Sequence, residues 1–336
     1  MSLPSPSVIL GLALCAVAAT VPGRAAEFTD AAGRHVDVPD HVARVLPAGP
    51  PADTLLYSLA PDTLVGLVEA WTPEQKPLVT AQVRDLPKIP RITGHPDDAD
   101  LRRLRELHAD LIVDYGDVTP AYAAIADRVQ AELGTPYLLL DGALAKTPDV
   151  LRQLSKILGR SERGEELATA TEDALKELTP LAAMAPEKRV AVYYARGPDG
   201  LDAVRAGSSL GEGMALAGAS NVVPPGRGAF VVMKAEDVAA LQPAVVILAD
   251  PAAAENSPLR SALPATTRFL VDPGLPISWI ENPPSLNRFV GALWLASKLT
   301  PDKIRFTEDD ASKLIGALFH AAPESALLDR IMDERR

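Results

Sequence analysis

The chain of 336 residues contains a single cysteine, Cys15, which lies in an apolar stretch near its start. We expect this stretch to be removed on export. The mature chain would then have no disulfide, no thiolate metal site and no cysteine nucleophile. The five histidines are scattered, with no i, i+4 pair and no HxH, so we do not expect a metal cage built from several imidazoles. They are His35, His41, His95, His108 and His320.

Aromatic residues make up only 4% of the chain, and no block of basic residues occurs in it. The formal net charge of −11 argues against a nucleic-acid partner, because binding to that backbone depends on clustered Lys and Arg. A glycine-rich dinucleotide pattern after the first strand and a Walker lysine are both missing from the sequence, which argues against nucleotide chemistry. The remaining composition, 47% hydrophobic and 23% charged, is that of a globular protein with one large core or two moderate ones.

The longest apolar run, residues 8–21, is shorter than the roughly 18 residues that span a bilayer. A Pro-Gly pair and the small residues Ala25 and Ala26 follow it, so residues 1–26 are predicted to be a signal peptide. Its first seven residues lack the usual Lys or Arg. A lipid anchor is not expected, because it would require a small residue before Cys15 and Leu14 stands there.

Short apolar runs of strand length alternate with helical patterns in both halves of the chain. This alternation predicts βαβ units and mainly parallel sheets. A hairpin is predicted at residues 28–38, and further strands at residues 42–46, 64–68, 111–113, 137–140, 189–194, 244–248 and 268–271. Helices are predicted at residues 54–59, 101–107, 122–133, 210–217 and 236–241.

Between the halves, Thr147-Pro148 predicts one helix start, and Ser161 is a candidate cap of a second helix. That second helix, residues 162–184, would be roughly 35 Å long at 1.5 Å per residue. We therefore predict an N-terminal lobe at residues 27–146, an interlobe helical segment at 147–185 and a C-terminal lobe at 186–336.

Open parallel sheets bind ligands beyond the carboxyl ends of their strands. This rule selects residues 48–51, 114–116, 193–196 and 278–279, and with them Tyr115, Tyr193, Tyr194 and Arg196. Tyr194 and Arg196 would share one strand face, and a phenol beside a guanidinium suits an anionic, planar or catecholate-bearing ligand. Alternatively, the two adjacent tyrosines pack against a helix and Arg196 is a solvated turn residue.

A proline-rich loop at residues 272–284 precedes a strongly amphipathic helix. The prolines stiffen the loop, so Trp279, Glu281 and Asn282 could be presented to a ligand with little loss of entropy. Ser285 is a candidate N-cap, which puts Arg288 in the first turn, where the helix dipole disfavours a positive charge. Arg288 would then serve a ligand or an acidic side chain, or else cover apolar surface with its stem.

Residues 209–212, Ser-Leu-Gly-Glu, match a capping box in which Glu212 returns a hydrogen bond to the cap. Residues 207–211 also fit the spacing of a GxSxG nucleophile elbow, although the strand before them is weak. A secreted α/β serine hydrolase using Ser209 is therefore the alternative from another class of function.

Three segments carry a resemblance to a known family: residues 272–297, RGPDGLDA at 196–203 and GASNVV at 218–223. Together they resemble the iron-siderophore and cobalamin class of periplasmic substrate-binding proteins that serve ABC importers. The resemblance implies two Rossmann-like lobes bridged by one long rigid α-helix (class III), with a ligand in the cleft between them. It also implies a monomeric, non-enzymatic periplasmic protein whose partners are a permease and its ATPase.

The resemblance implies no cofactor and no direct metal ligand, but capture of a metal chelate, with a ferric siderophore as the first candidate. Cobalamin, heme and a molybdate-like oxyanion are alternatives. The implied ligand-binding residues are Tyr115, Tyr193, Tyr194, Arg196, Trp279 and Arg288. Glu212 would dock the permease. In the first lobe Arg102 stands where the family has a docking glutamate, which leaves Glu106 or Asp100 as substitutes, and His95 is a further candidate for the cleft.

Overall fold

The computed structural model describes residues 26–93, 96–250, 252–274, 277–280, 283–320 and 328. Residues 1–25 of the predicted signal peptide, together with His95, Glu281 and Asn282, lie outside the described residues. Within those ranges, no helix combines the length and the apolar character that a bilayer span requires.

The first half of the chain forms a hairpin followed by a three-stranded parallel sheet with the order β3-β4-β5. The predicted hairpin is confirmed as the antiparallel pair β1 and β2. The strands are β1 Ala26–Thr29, β2 His35–Val38, β3 Val45–Pro47, β4 Leu111–Gly116 and β5 Tyr137–Asp141. The helices are α1 Pro50–Leu59, α2 Ala81–Arg84, α3 Asp98–Arg105 and α4 Pro120–Leu133.

Two helices connect the halves, α5 Thr147–Ile157 and α6 Ser161–Ala182. With 22 residues, α6 is about 33 Å long. The two helices pack closely because Gly164 has no side chain: a Cβ there would lie 2.0 Å from Ser155 Oγ. On their exposed side, Arg152 of α5 pairs with Glu165 and Glu172 of α6. The predicted long interlobe helix is therefore present.

The second half forms a six-stranded sheet with the order β11-β10-β6-β7-β9, and β8 also pairs with β6. Among the described strands of this sheet, the pairs β6-β7 and β7-β9 are antiparallel, so β7 runs against the other five strands. The strands are β6 Val190–Arg196, β7 Asp202–Val204, β8 Ala219–Asn221, β9 Phe230–Val232, β10 Val245–Leu248 and β11 Arg268–Val271. The helices are α7 Glu212–Leu216, α8 Ala235–Ala240, α9 Ala253–Asn256, α10 Leu259–Ala262, α11 Asn287–Leu299 and α12 Glu308–Phe319.

Each sheet has its own outer apolar core, and one larger core joins the two halves. The joining core contains Val113 of β4, Leu167 and Leu178 of α6, Val192 of β6 and Val290 of α11, all buried. The helices α6 and α11 therefore bury one continuous apolar surface against both sheets. The predicted fold class, two α/β lobes bridged by one long helix, is confirmed.

Three local predictions are wrong. Residues 64–68 do not form a strand, because Leu64 and Leu67 make only isolated bridges, to Val45 and Lys88. Ser161 is the first residue of α6 and makes no capping bond. Ser285 does not cap α11, because the helix begins at Asn287 with Leu286 at the cap position, and the Ser285 hydroxyl is turned to the carbonyl of Pro51, to which it donates (2.9 Å).

Candidate functional site

The carboxyl ends of β4 and β5 meet the first turns of α7 and α11 along a seam between the lobes. Two side-chain hydrogen bonds mark this seam. Ser285 Oγ, just before α11, donates to Pro51 O at 2.9 Å, and Ser209 Oγ, just before α7, donates to Asp117 Oδ2 at 3.3 Å. Both predicted helix starts therefore use their serine hydroxyls across the seam.

Arg288 is the central side chain of the seam, with only 1% of its surface exposed. Its Nη2 donates to Gly142 O of the first lobe at 2.7 Å. Within its own lobe, Nη1 donates to Ser209 O at 3.2 Å and to Glu212 Oε2 at 3.1 Å, and Nε donates to Ser285 O at 3.3 Å. A guanidinium can satisfy such a spread of acceptors because its donors form a fixed fork. Arg288 therefore joins α7, α11 and the loop after β5.

Glu212, the first residue of α7, completes this connection. Both of its carboxylate oxygens accept the backbone N–H of Leu144 in the first lobe, at 3.0 and 3.1 Å. The capping box predicted from residues 209–212 is wrong, because this carboxylate turns to Leu144 and Arg288 while residues 209–211 form a 3-10 turn without a side-chain cap. A permease-docking role for Glu212 stays a prediction, and 30% of its side chain is exposed for it.

A cavity of about 580 Å³ opens beside these contacts. Its walls come from the loops after β4 and β5 in the first lobe and from residues 206–215 and β8 in the second. The polar or charged lining residues are Asp117, Asp141, Arg189, Ser208, Ser209, Glu212, Ser220 and Asn221. A space of this volume between two lobes, with hydroxyl, amide and carboxylate groups on its walls, is suited to a small polar solute.

The carboxylates of the cavity differ in their partners. Glu212 is paired with Arg288, but among the described residues no Lys or Arg nitrogen lies within 4 Å of Asp117 or Asp141. Asp117 accepts the Ser209 hydroxyl, and Asp141 accepts the backbone N–H of Ala143.

The guanidinium that lines the cavity, Arg189, donates to the carbonyls of Met184 and Ala182 at the C-terminal end of α6. Those carbonyls carry the negative end of the helix dipole and offset its charge.

The predicted aromatic site residues lie in the cores. Tyr115, Tyr193, Tyr194 and Trp279 are each at most 1% exposed, and none of them lines the cavity. The Tyr115 hydroxyl is 2.7 Å from Thr147 Oγ1, and burial raises the pKa of its phenol. The Tyr193 hydroxyl donates to Gly200 O, and burial raises its pKa too. The structure thus buries all four side chains, and a ligand-binding role for them stays a prediction.

Asp272, directly after β11, holds the predicted aromatic loop. Its buried carboxylate accepts the backbone N–H groups of Gly274, Trp279 and Ile280 and the hydroxyl of Ser278. Burial raises the pKa of Asp272, although these hydrogen bonds favour the charged form. The Tyr194 hydroxyl is 3.4 Å from the same carboxylate. One buried carboxylate thus holds the backbone at Gly274, Trp279 and Ile280, and the Trp279 side chain is buried beside it.

Arg196 lies at the carboxyl end of β6, where the strand rule placed it, but away from the cavity lining. Its guanidinium pairs with Asp202 at 2.6 Å and lies over the ring of Phe230 at 4.1 Å from the centroid. Phe230 and Val232 of β9 are 44% and 78% exposed. The sequence analysis did not select Phe230, because its short strand carries no periodic pattern. Ligand contact by Arg196 stays a prediction.

The geometry of a nucleophile elbow is not formed at Ser209. This residue opens a 3-10 turn, separated from β7 by a loop, whereas an elbow requires the serine directly after a strand. Its hydroxyl donates a hydrogen bond to the carboxylate of Asp117.

No group of three or more His, Cys, Asp or Glu side chains that could hold a metal ion occurs in the described part of the chain. His320 contacts carbonyls of α1, and His35 pairs with Glu27 of the hairpin.

The sequence analysis also missed Asp117 and Asp141. Asp117 follows β4 and Asp141 is the last residue of β5, and both strands were predicted. Applying the carboxyl-end rule one residue further along after β4, and to the end of β5, would have found them.

No protein-family model matches this sequence, and neither does any curated protein. Solved structures do match it in fold. An ABC transporter solute-binding protein from Sulfurospirillum deleyianum has a TM-score of 0.82 and 24% identity over 91% of this chain and 98% of its own. A molybdate periplasmic binding protein of Haemophilus influenzae, solved with molybdate, has a TM-score of 0.65 and 18% identity over 89% and 99%.

A periplasmic vitamin B12 binding protein of Vibrio cholerae has a TM-score of 0.59 and 18% identity over 77% of this chain and 97% of its own. The three neighbours are matched over nearly their whole length, and the two that are named for a ligand differ in it: molybdate for one and vitamin B12 for the other. This chain therefore has the class III fold of the periplasmic solute-binding proteins.

Proposed function

We propose that this protein is the periplasmic solute-binding component of an ABC importer, acting as a monomer without catalysis. It would capture a metal chelate at the interlobe seam and deliver it to a membrane permease and its ATPase. A ferric siderophore is the first candidate, and cobalamin, heme and a molybdate-like oxyanion are alternatives. Each of these alternatives is supported by a structural neighbour that is named for binding molybdate, vitamin B12 or heme.

The observation that carries the proposal is the cavity of about 580 Å³ at the seam of a fold shared with solute-binding proteins. Both lobes contribute polar groups to its walls, so a bound solute would be held by both. The contacts of Arg288 and Glu212 across the seam support this reading, since a solute beside them is placed to bias the relative position of the lobes.

The predicted ligand contacts remain part of the proposal. Arg196 stands beside the exposed ring of Phe230 and does not line the cavity, so its contact with a ligand would require a solute that extends beyond the cavity walls. Tyr115, Tyr193, Tyr194, Trp279 and Arg288 are buried, so contact with a ligand would require their packing to open. Docking by Glu212 would likewise require its carboxylate to exchange Arg288 for a permease group.

The test is whether solute is retained and whether the seam cavity holds it. Native mass spectrometry of the purified protein identifies any bound solute, and isothermal titration calorimetry measures its affinity. Ala215 is exposed and lines the cavity from α7, so Ala215→Trp should fill part of the space and weaken binding at least about tenfold.

The matched control is Ala240→Trp, an exposed alanine at the end of α8 that does not line the cavity. Both variants should keep the circular dichroism spectrum of the parent protein. Equal affinities for the two variants would exclude the cavity as the binding site, and a protein that retains and binds no solute would contradict the proposal.

A further inference from the structure

We infer that the seam cavity selects a solute that carries positive charge or is neutral and rich in hydrogen-bond donors, and disfavours anionic chelates. This inference rests on the proposed function and deepens it. The net negative charge of the chain is not the reason, since charges more than about 8 Å from the solute are largely screened at physiological salt. The groups on the cavity walls supply it.

Asp117, directly after β4, and Asp141, the last residue of β5, line the cavity at the ends of two neighbouring parallel strands. Each accepts one neutral donor, Ser209 Oγ and Ala143 N respectively, and neither has a cationic partner within 4 Å among the described residues. Each therefore keeps acceptor capacity and negative charge that a solute in the cavity can meet.

The two guanidiniums nearby do not reverse this sign. Arg288 is buried behind Glu212, pairs with it and gives its remaining hydrogen bonds to carbonyls. Arg189 lines the cavity, but it is bonded to the carbonyls that end α6. An anionic solute would have to displace these bonds to gain a cation, whereas a cationic solute meets unpaired carboxylates at once.

The neutral part of the lining fits the same solute. Ser208, Ser220 and Asn221 add hydroxyl and amide groups, and the Asn221 amide is already bonded to Val204 O and Val223 N. The polar groups available to a solute are thus mostly acceptors. A chelate with free ammonium, amide or hydroxyl groups matches them, and a chelate with a rim of catecholate oxygens does not.

The test compares three iron chelates by calorimetry on the full-length mature protein. They are a cationic ferric trihydroxamate with a free ammonium group, a neutral ferric trihydroxamate of similar size, and a trianionic ferric tris-catecholate. We expect affinity to fall in that order, and the advantage of the cationic chelate to shrink as salt is raised.

Variants then assign the effect to the cavity. Asp117→Asn and Asp141→Asn should each weaken the cationic chelate by about fivefold and change the neutral one by less than about twofold. Asp173→Asn removes the same charge from the exposed face of α6, away from the cavity, and should change neither affinity.

The outcomes separate this inference from the proposed function. Tighter binding of the tris-catecholate than of the cationic chelate, or stronger binding of the cationic chelate by the two cavity variants, would overturn the charge inference and leave the proposed function standing. If none of the chelates binds, the solute retained in native mass spectrometry decides. A cationic or neutral solute supports the inference, an anionic one overturns it, and no solute at all overturns the proposed function and the inference together.

Discussion

Replacing Arg288 by Met should destabilise the protein more than any substitution at an exposed charge. Methionine keeps much of the stem volume but removes a guanidinium that donates to three carbonyls and one carboxylate. Breaking a buried ion pair by removing one partner typically costs 3–5 kcal/mol, here lowered because Glu212 is 30% exposed and can be solvated. The variant also leaves three carbonyls without the hydrogen bonds that Arg288 donates, which raises the cost. We therefore expect a loss of about 3 kcal/mol.

The assay is urea unfolding followed by tryptophan fluorescence, with Glu212→Gln and the double variant completing a mutant cycle. If the pair is coupled as the 3.1 Å distance indicates, the double variant should lose less than the sum of the single losses, by about 1–2 kcal/mol. A loss below about 0.5 kcal/mol for Arg288→Met would refute the stabilising role of Arg288 at the seam. Strict additivity in the cycle would refute the coupling between Arg288 and Glu212.

Two further predictions concern packing and pH. Gly291→Ala should lower the free energy of unfolding by about 3 kcal/mol, because a Cβ there would lie 1.9 Å from the carbonyl oxygen of Trp279. The control Gly213→Ala, whose new Cβ would have its nearest neighbours 3.6 Å away, should be neutral or slightly stabilising. Equal shifts of the melting temperature in the two variants would contradict this. Burial raises the pKa of Asp53 from 3.8 to about 8. Between these two values the native state binds a proton that the unfolded state releases, so the contribution of Asp53 to stability is lost as the pH rises from 3.8 to about 8. The difference in unfolding free energy between the parent protein and Asp53→Asn should therefore fall from about pH 5 to about pH 8, and a constant or rising difference in urea unfolding would exclude this assignment.

The order of elements could be predicted from the sequence because each strand and helix has a local period. The alternation of short apolar runs with helical patterns located β4, β5, β6, β10 and β11, and the helix starts at Thr147-Pro148 and Ser161 located the two interlobe helices. Residues 64–68 failed the same test, because an apolar run of strand length forms a strand only where a neighbouring edge pairs with it along its length.

The direction of the site side chains could not be predicted in this way. In β4 both faces are buried, as is usual in a parallel sheet covered by helices, so its burial pattern has no alternation that would tell an inward Tyr115 from a ligand-facing one. The rule of carboxyl ends therefore selected the edge of the sheet at which the cavity lies, but Tyr115 is buried there and does not line the cavity. Asp117, two residues further on, reaches the cavity instead.

Helix starts at the seam were missed for a related reason. A cap is predicted from a local pattern, but the hydroxyls of Ser209 and Ser285 are turned toward groups far away in sequence, Asp117 and Pro51 respectively, and neither accepts a backbone N–H at a helix start. The Glu212 carboxylate likewise does not return a hydrogen bond to the predicted cap, because it accepts from Leu144 N and pairs with Arg288. Local patterns therefore fail where the two lobes meet.

The position of the tryptophans determines what each binding assay measures. Trp279 and Trp294 are 1% and 2% exposed and lie edge to face with their ring centroids 6.2 Å apart, and neither they nor Trp71 line the cavity. A solute in the cavity that does not absorb at the wavelengths of tryptophan emission would thus alter that emission by moving α11 or the loop that Asp272 holds. Calorimetry and native mass spectrometry report binding itself, whereas emission reports lobe movement. The comparison of the two separates capture of the solute from closure of the seam.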